Sequence, residues 1–131
     1  MTAQKNGKID ISNLNIPPNK NELQTAKFFA DKGKDIKFIR PSNIKGDHKA
    51  DFWMDGLRWE VKNPHGTSAR TIEGNLRAAI EQSDNIIFDL RKMGRLKTNA
   101  IYRLKTEFKK RKQIQRLKII VNIDEVLEFN K

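Results

Sequence analysis

The chain has no cysteine, which excludes disulfides and zinc sites built on thiolates. No segment approaches the ~18 continuous apolar residues needed to span a bilayer, and the first residues lack the apolar run of a signal peptide. Acidic residues are scarce, 16 Asp and Glu against 27 Lys and Arg, so the 131 residues carry a net charge of +11. Such a balance favours a polyanionic partner, most simply nucleic acid. A membrane surface is the competing polyanion, but only Tyr102 and Phe108 supply aromatic anchoring in the most basic helical segment, and no membrane partner is expected. No Gly-rich strand-to-helix loop is present, so nucleotide hydrolysis has no support. No Ser-His-Asp arrangement is visible either. A hydrophobic content of 37% with seven Phe and two Trp is that of a folded chain rather than a disordered one.

The most informative segment is Asp51-Phe52-Trp53-Met54, Asp55-Gly56, Leu57-Arg58-Trp59-Glu60-Val61-Lys62. Asp-Gly between two strand-like runs is a strong hairpin signal, usually a type I′ turn. A two-residue loop fixes the register, so Met54 opposes Leu57, Trp53 opposes Arg58, Phe52 opposes Trp59 and Asp51 opposes Glu60. Directly opposed side chains have Cβ atoms roughly 5 Å apart, where two like charges repel, and a cation between them removes the repulsion. Period-two alternation puts Phe52, Met54, Leu57, Trp59 and Val61 on one face, toward a core. Asp51, Trp53, Arg58, Glu60 and Lys62 share the other, expected to be polar. Carboxylate ligands of this kind suit Mg²⁺ or Mn²⁺, with Zn²⁺ also admissible. The plainer reading is that these are the solvated outer residues of a half-buried hairpin.

Residues 1–18 are polar, end in Pro17-Pro18, and read as a leader or linker. Residues 19–131 read as one domain. A helix is expected over 19–32, with Leu23, Ala26, Phe29 and Ala30 as its apolar stripe, Asn19 with Glu22 as a capping box, and Gly33 as the stop. A strand follows at 36–39, then the hairpin, a helix over 69–83, an apolar strand at 85–90, a helix over 97–113 and a core strand at 117–121. The tail 124–129 is either a short helix or an edge strand. Gly74, inside the second helix, marks either a close approach or simple tolerance. The helix-sized crossover before residue 85 implies parallel pairing. The fold class is α/β, a mixed sheet with a central hairpin flanked by helices in the order αβββαβαβ.

From Arg95 to Lys118 ten residues are basic and only Glu107 is acidic. Lys109, Lys110, Arg111 and Lys112 form the densest run and are expected to contact phosphates, which gives salt-sensitive affinity but little sequence readout. Trp53 either stacks on a base or packs under a loop. His48 and His65, in polar loops beside the hairpin, are candidate general bases, although exposed loop histidines commonly have no such role. Gln82 and Asn85 flank a helix-to-strand junction, where turn capping is the ordinary explanation. Glu22 is accounted for by the capping box and is also a candidate third acidic group.

A carboxylate on one strand followed by Glu-x-Lys on the next, here Asp51 and Glu60-Val61-Lys62, resembles the PD-(D/E)XK nuclease superfamily, with a restriction-endonuclease-like fold. Ala50, not Pro, precedes Asp51. The longer stretch from Lys49 to Gly56 and Trp59 to Pro64 is similar to the C-terminal nuclease domains of contact-dependent growth inhibition toxins, several of which cleave transfer RNA. The resemblance implies that Asp51 and Glu60 bind a divalent metal, that Lys62 orients or helps deprotonate the attacking water, and that Glu22 is the acidic residue of the first helix. Gln82 sits where some members carry a polar residue. It also implies an acidic immunity protein as partner, delivery from a larger secreted or surface protein, and a cytoplasmic site of action. The expected activity is metal-dependent endonucleolytic hydrolysis of nucleic acid, RNA before DNA and transfer RNA first. The rivals are a DNA endonuclease of the same fold and a non-catalytic nucleic-acid-binding domain.

Overall fold

In the computed structural model, which describes residues 6–41, 50–65, 69–94 and 97–131, Asp55 and Gly56 adopt φ of +55° and +75°. Two consecutive positive φ values are the signature of a type I′ turn, whose twist matches that of the flanking strands. The elements in chain order are β1 (Ile9–Asp10), α1 (Lys20–Ala30), β2 (Ile36–Phe38), β3 (Phe52–Met54), β4 (Leu57–Lys62), α2 (Ala69–Ile80), β5 (Asn85–Asp89), α3 (Lys97–Lys110), β6 (Arg116–Asn122) and β7 (Glu125–Asn130). The seven strands hydrogen-bond in that same order in a mixed sheet. The chain forms two compact units, Met1–Trp59 and Glu60–Lys131.

In the first unit the hairpin register is the expected one over three pairs: Phe52 faces Trp59, Trp53 faces Arg58 and Met54 faces Leu57. Asp51, expected to continue it opposite Glu60, instead lies in a bend before β3 with its N–H on the Trp59 carbonyl. Phe52, Met54 and Trp59 are buried, and so are Ile36 and Phe38 of the neighbouring strand. Phe38 meets Phe52 edge-to-face at 5.6 Å between centroids. The Trp59 indole N–H donates to the Met54 carbonyl at 3.0 Å, so this large side chain also locks the hairpin's turn end. Asn19 caps α1 by accepting from the Asn21 N–H at 2.8 Å. The helix stops at Ala30, two residues short of the expected end. There the N–H groups of Lys32, Gly33 and Lys34 turn back onto the carbonyls of Phe29 and Ala30.

The polar stretch expected as a leader takes part in this unit. Its residues Ile9 and Asp10 pair in parallel with Ile36 and Lys37, and the Gly7 N–H donates to the Ala30 carbonyl at 2.7 Å. A Cβ on Gly7 would lie 1.8 Å from the Lys34 carbonyl oxygen, so only glycine permits this approach.

In the second unit, residues 60–62 of β4 run parallel to β5, β5 runs parallel to β6, and β6 pairs antiparallel with β7. Every residue of β5 is buried, as expected of a parallel strand covered on both faces. Ile72, Leu76 and Ala79 of α2 and Leu104 and Phe108 of α3 form one core with Ile86, Phe88, Leu117 and Ile119. The tail is an edge strand, the second of the two options its sequence left open. Helices α2 and α3 each end three residues before their expected limits.

Candidate active site

Three of the acidic and basic candidates lie on elements whose local structure fixes them closely. Glu22 occupies the first turn of α1, where the Asn19 cap sets the helix start and a carboxylate complements the positive end of the helix dipole. Asp51 sits immediately before β3, and its backbone is tied on both sides. Its N–H donates to the Trp59 carbonyl at 3.0 Å and its carbonyl accepts from the Ile39 N–H at 2.9 Å. Lys62 closes β4, with its ammonium 3.4 Å from the Glu60 carboxylate.

Glu22 and Asp51 open onto one cavity of about 470 Å³ in the first unit, together with Arg40 and a wall that includes Pro17, Pro18 and Phe38. Two of the carboxylates picked out from the sequence thus line the same space. Arg40 escaped notice because it is one cation among 27. The available signal is its position two residues after β2, the strand that pairs with β3. Residues 14–18, expected to be part of a linker, form a side of this cavity.

Glu60 departs from expectation in its environment. The hairpin's second face is expected to be polar, and on the plainer reading solvated, yet Glu60 is only 6% exposed. The reason lies in the second unit, where Glu60 is in register with Ile86 and Ile86 belongs to the core beneath α2 and α3. The face that carries Glu60 and Lys62 is therefore the helix-covered one, and Val61 on the opposite face is buried as well. Glu60 and Lys62 form a largely buried ion pair rather than a solvated edge.

Among the described residues, no group of three or more His, Cys, Asp or Glu side chains is placed to hold a metal ion. A divalent ion held by the described residues would rest on fewer such side chains. That is compatible with Mg²⁺, which is commonly held by one or two carboxylates with water and substrate phosphates completing its shell.

The remaining candidates separate into distinct environments. Trp53 is 42% exposed and the Arg58 guanidinium lies 5.6 Å from its ring centroid, so Trp53 is not packed under a loop. His65 is exposed, while His48 lies outside the described residues. The Gln82 N–H donates to the Ala79 carbonyl at the end of α2. The Asn85 side-chain oxygen accepts from Arg116 at 3.3 Å, a structural tie across β5 and β6. In the basic run, Lys109 and Lys112 are exposed. Arg111 is bonded to the buried Glu107 at 2.8 Å, and Lys110 lies 3.9 Å from the same carboxylate. Arg111 thus holds the end of α3. A second buried carboxylate, Asp89, takes a two-pronged hydrogen bond from Arg91 at 2.9 and 2.6 Å, and this holds the guanidinium's pKa above its ordinary value.

These features define an α/β domain with a mixed seven-stranded sheet, a strongly basic chain, and carboxylates gathered at a cavity beside a hairpin. The chain belongs to the contact-dependent growth inhibition CdiA C-terminal domain family, whose model matches residues 48–126, and is a toxin domain of that kind. Its fold is similar to that of a chain in the CdiA-CT/CdiI toxin and immunity complex from Burkholderia pseudomallei, with a TM-score of 0.69 and 16% identity over 95% of this chain and 100% of that one. No curated protein matches the chain by sequence.

Proposed function

We propose that this toxin domain is a metal-dependent endonuclease of the PD-(D/E)XK type that hydrolyses phosphodiester bonds in RNA, with transfer RNA as its substrate. The observation that carries the proposal is the first unit's cavity, whose lining includes Glu22, Asp51 and Arg40. Oxygen donors of this kind suit a hard divalent cation. The resemblance of Asp51 and Glu60-Val61-Lys62 to the PD-(D/E)XK pattern adds Glu60 as a further donor and Lys62 two residues along.

The bound cation supplies Lewis-acid stabilisation of charge on the phosphoryl oxygens and makes water easier to deprotonate. The chain's own residues do the rest. Asp51 and Glu60 would hold the cation, with Glu22 as the helix-borne acid, and Glu60 also pairs with the Lys62 ammonium. The Lys62 ammonium would orient the attacking water and favour its hydroxide form, the proton passing to solvent. Lys109 and Lys112 on and beyond the end of α3 hold phosphates at a distance from the scissile bond, without reading sequence. The net charge of +11 also suits an acidic partner, and the structurally similar chain comes from a complex with an immunity protein.

Incubation of the purified protein with transfer RNA and with duplex DNA, in Mg²⁺ or in EDTA, tests the proposal. The expected result is cleavage of transfer RNA in Mg²⁺ and none in EDTA, with Asp51→Asn inactive. Cleavage that persists in EDTA removes the metal and promotes His65. Binding without cleavage under any divalent metal makes the domain a binding module.

A further inference from the structure

The exposed side of the first unit's sheet carries one ordered cross-strand row. Lys37 of β2 is in register with Trp53 of β3, and Trp53 is in register with Arg58 of β4. All three are exposed, so an aromatic ring stands between two cations on three adjacent strands. Directly opposed residues on one sheet face lie roughly 5 Å apart, a spacing that lets one nucleotide touch all three. An indole is costly to leave in water, and 42% of Trp53 is exposed. Arg58 approaches its ring at 5.6 Å, and the ring also borders a groove of about 400 Å³ with Lys8, Asp10, Lys37 and Asp55, large enough for a small flat ligand.

We propose that Lys37, Trp53 and Arg58 form a platform for an unpaired nucleotide, with the base stacked on Trp53 and the flanking phosphates held by Lys37 and Arg58. The aspartates of the groove decide the orientation. Asp10, Asp35 and Asp55 line it and turn phosphate away, so the uncharged base faces the groove and the backbone faces the two cations. Asp55 is already matched by Lys34 at 3.0 Å, and Asp35 accepts the Lys8 N–H at 2.8 Å. A base inside a duplex has no free ring face, so the platform selects single-stranded segments. Trp53 lies two residues beyond Asp51 in the chain. The inference therefore deepens the nuclease reading: the stacked nucleotide neighbours the bond to be cut, and the enzyme acts in unpaired loops.

The test measures binding in EDTA, apart from cleavage. Fluorescence anisotropy is read with a labelled oligouridylate of about twelve nucleotides and with a duplex of similar length. Wild type is expected to prefer the single strand. Trp53→Ala is expected to weaken single-strand binding about 10-fold or more, the range found for base–aromatic stacking, while duplex affinity stays within about 2-fold. Trp53→Phe keeps most of the affinity because it keeps a ring. Lys37→Ala lowers the slope of log affinity against log salt by about 1, as loss of one phosphate contact requires, whereas Trp53→Ala leaves that slope unchanged. Single-strand affinity in Trp53→Ala within about 2-fold of wild type overturns the proposal, as does an equal loss for both probes. Self-association of the wild type that Trp53→Ala abolishes, with RNA affinity unmoved, overturns it in favour of a contact between copies. A platform that binds in a protein that does not cleave leaves this inference standing and refutes only the nuclease reading.

Discussion

Removing the charge from Glu60 separates a structural role from a catalytic one, because the burial of this residue makes both effects measurable. The Glu60 side chain is 8% exposed and that of Lys62 is 23% exposed, at a separation of 3.4 Å. Breaking a fully buried pair from one side costs about 3–5 kcal/mol, because an uncompensated charge is left inside. The partial exposure of Lys62 reduces this, so Glu60→Gln is expected to cost about 1–3 kcal/mol. Lys62→Met removes the other charge at similar length and leaves Glu60 uncompensated, with a cost in the same range. The double variant Glu60→Gln/Lys62→Met leaves no orphaned charge, so its stability should recover to within about 1 kcal/mol of wild type. The coupling is then a direct measure of the pair. Urea unfolding reads stability for all four proteins, and transfer RNA cleavage in Mg²⁺ reads function. If the pair serves the reaction, the double variant is stable and inactive. A stable double variant that still cleaves at the wild-type rate would refute the catalytic assignment and leave Glu60 and Lys62 as a structural strut. Three additive destabilisations with no coupling would refute the burial argument itself.

Trp59→Ala should destabilise by about 3–5 kcal/mol, the range for a buried large aromatic, read as a lower urea midpoint. An unchanged midpoint would invert the assignment of hairpin faces. Gly74 lies in α2 with open space where a Cβ would stand, so Gly74→Ala should stabilise by about 1 kcal/mol on helix propensity. A loss of stability there would reveal a close approach. In the basic run, Lys109→Ala with Lys112→Ala should lower the salt slope of RNA binding by about 2 with little change in melting temperature. Arg111→Ala should instead destabilise the fold by about 1–3 kcal/mol through Glu107, and a reversal of these two phenotypes would contradict the assignment.

The parts of the fold dictated by local chemistry were legible in the sequence. Asp55-Gly56 can supply two positive φ values where most dipeptides cannot, so both the turn and its register followed from two residues. Asn19 announced the start of α1, and the apolar run at 85–90 announced a buried parallel strand. What escaped depends on tertiary context. Strand β1 is two residues long in a polar stretch and exists because β2 offers it an edge. The tail Glu-Val-Leu-Glu-Phe-Asn has neither a clean two-residue period nor a clean helical one, and pairing with β6 decides it. Alternation placed Glu60 and Lys62 on one face correctly. It could not reveal that α2 and α3 cover that face, which turns an expected solvated carboxylate into a buried one. The candidate donors Asp51 and Glu22 could be named from pattern, but their shared cavity and the presence of Arg40 in it required the packing of residues 14–18 around them.

The strand order of the sheet follows the order of the chain, and this bears on how the domain is used. No strand waits for a later segment to slot in beside it, since each new strand docks on the one formed before it. The β3–β4 and β6–β7 pairs are local, whereas the parallel pairs β1–β2, β4–β5 and β5–β6 each close a helix-sized crossover first, the slower kind of contact to form. Without cysteine, no oxidative step has to follow. Refolding of this toxin domain, wherever it takes place, therefore needs no oxidant.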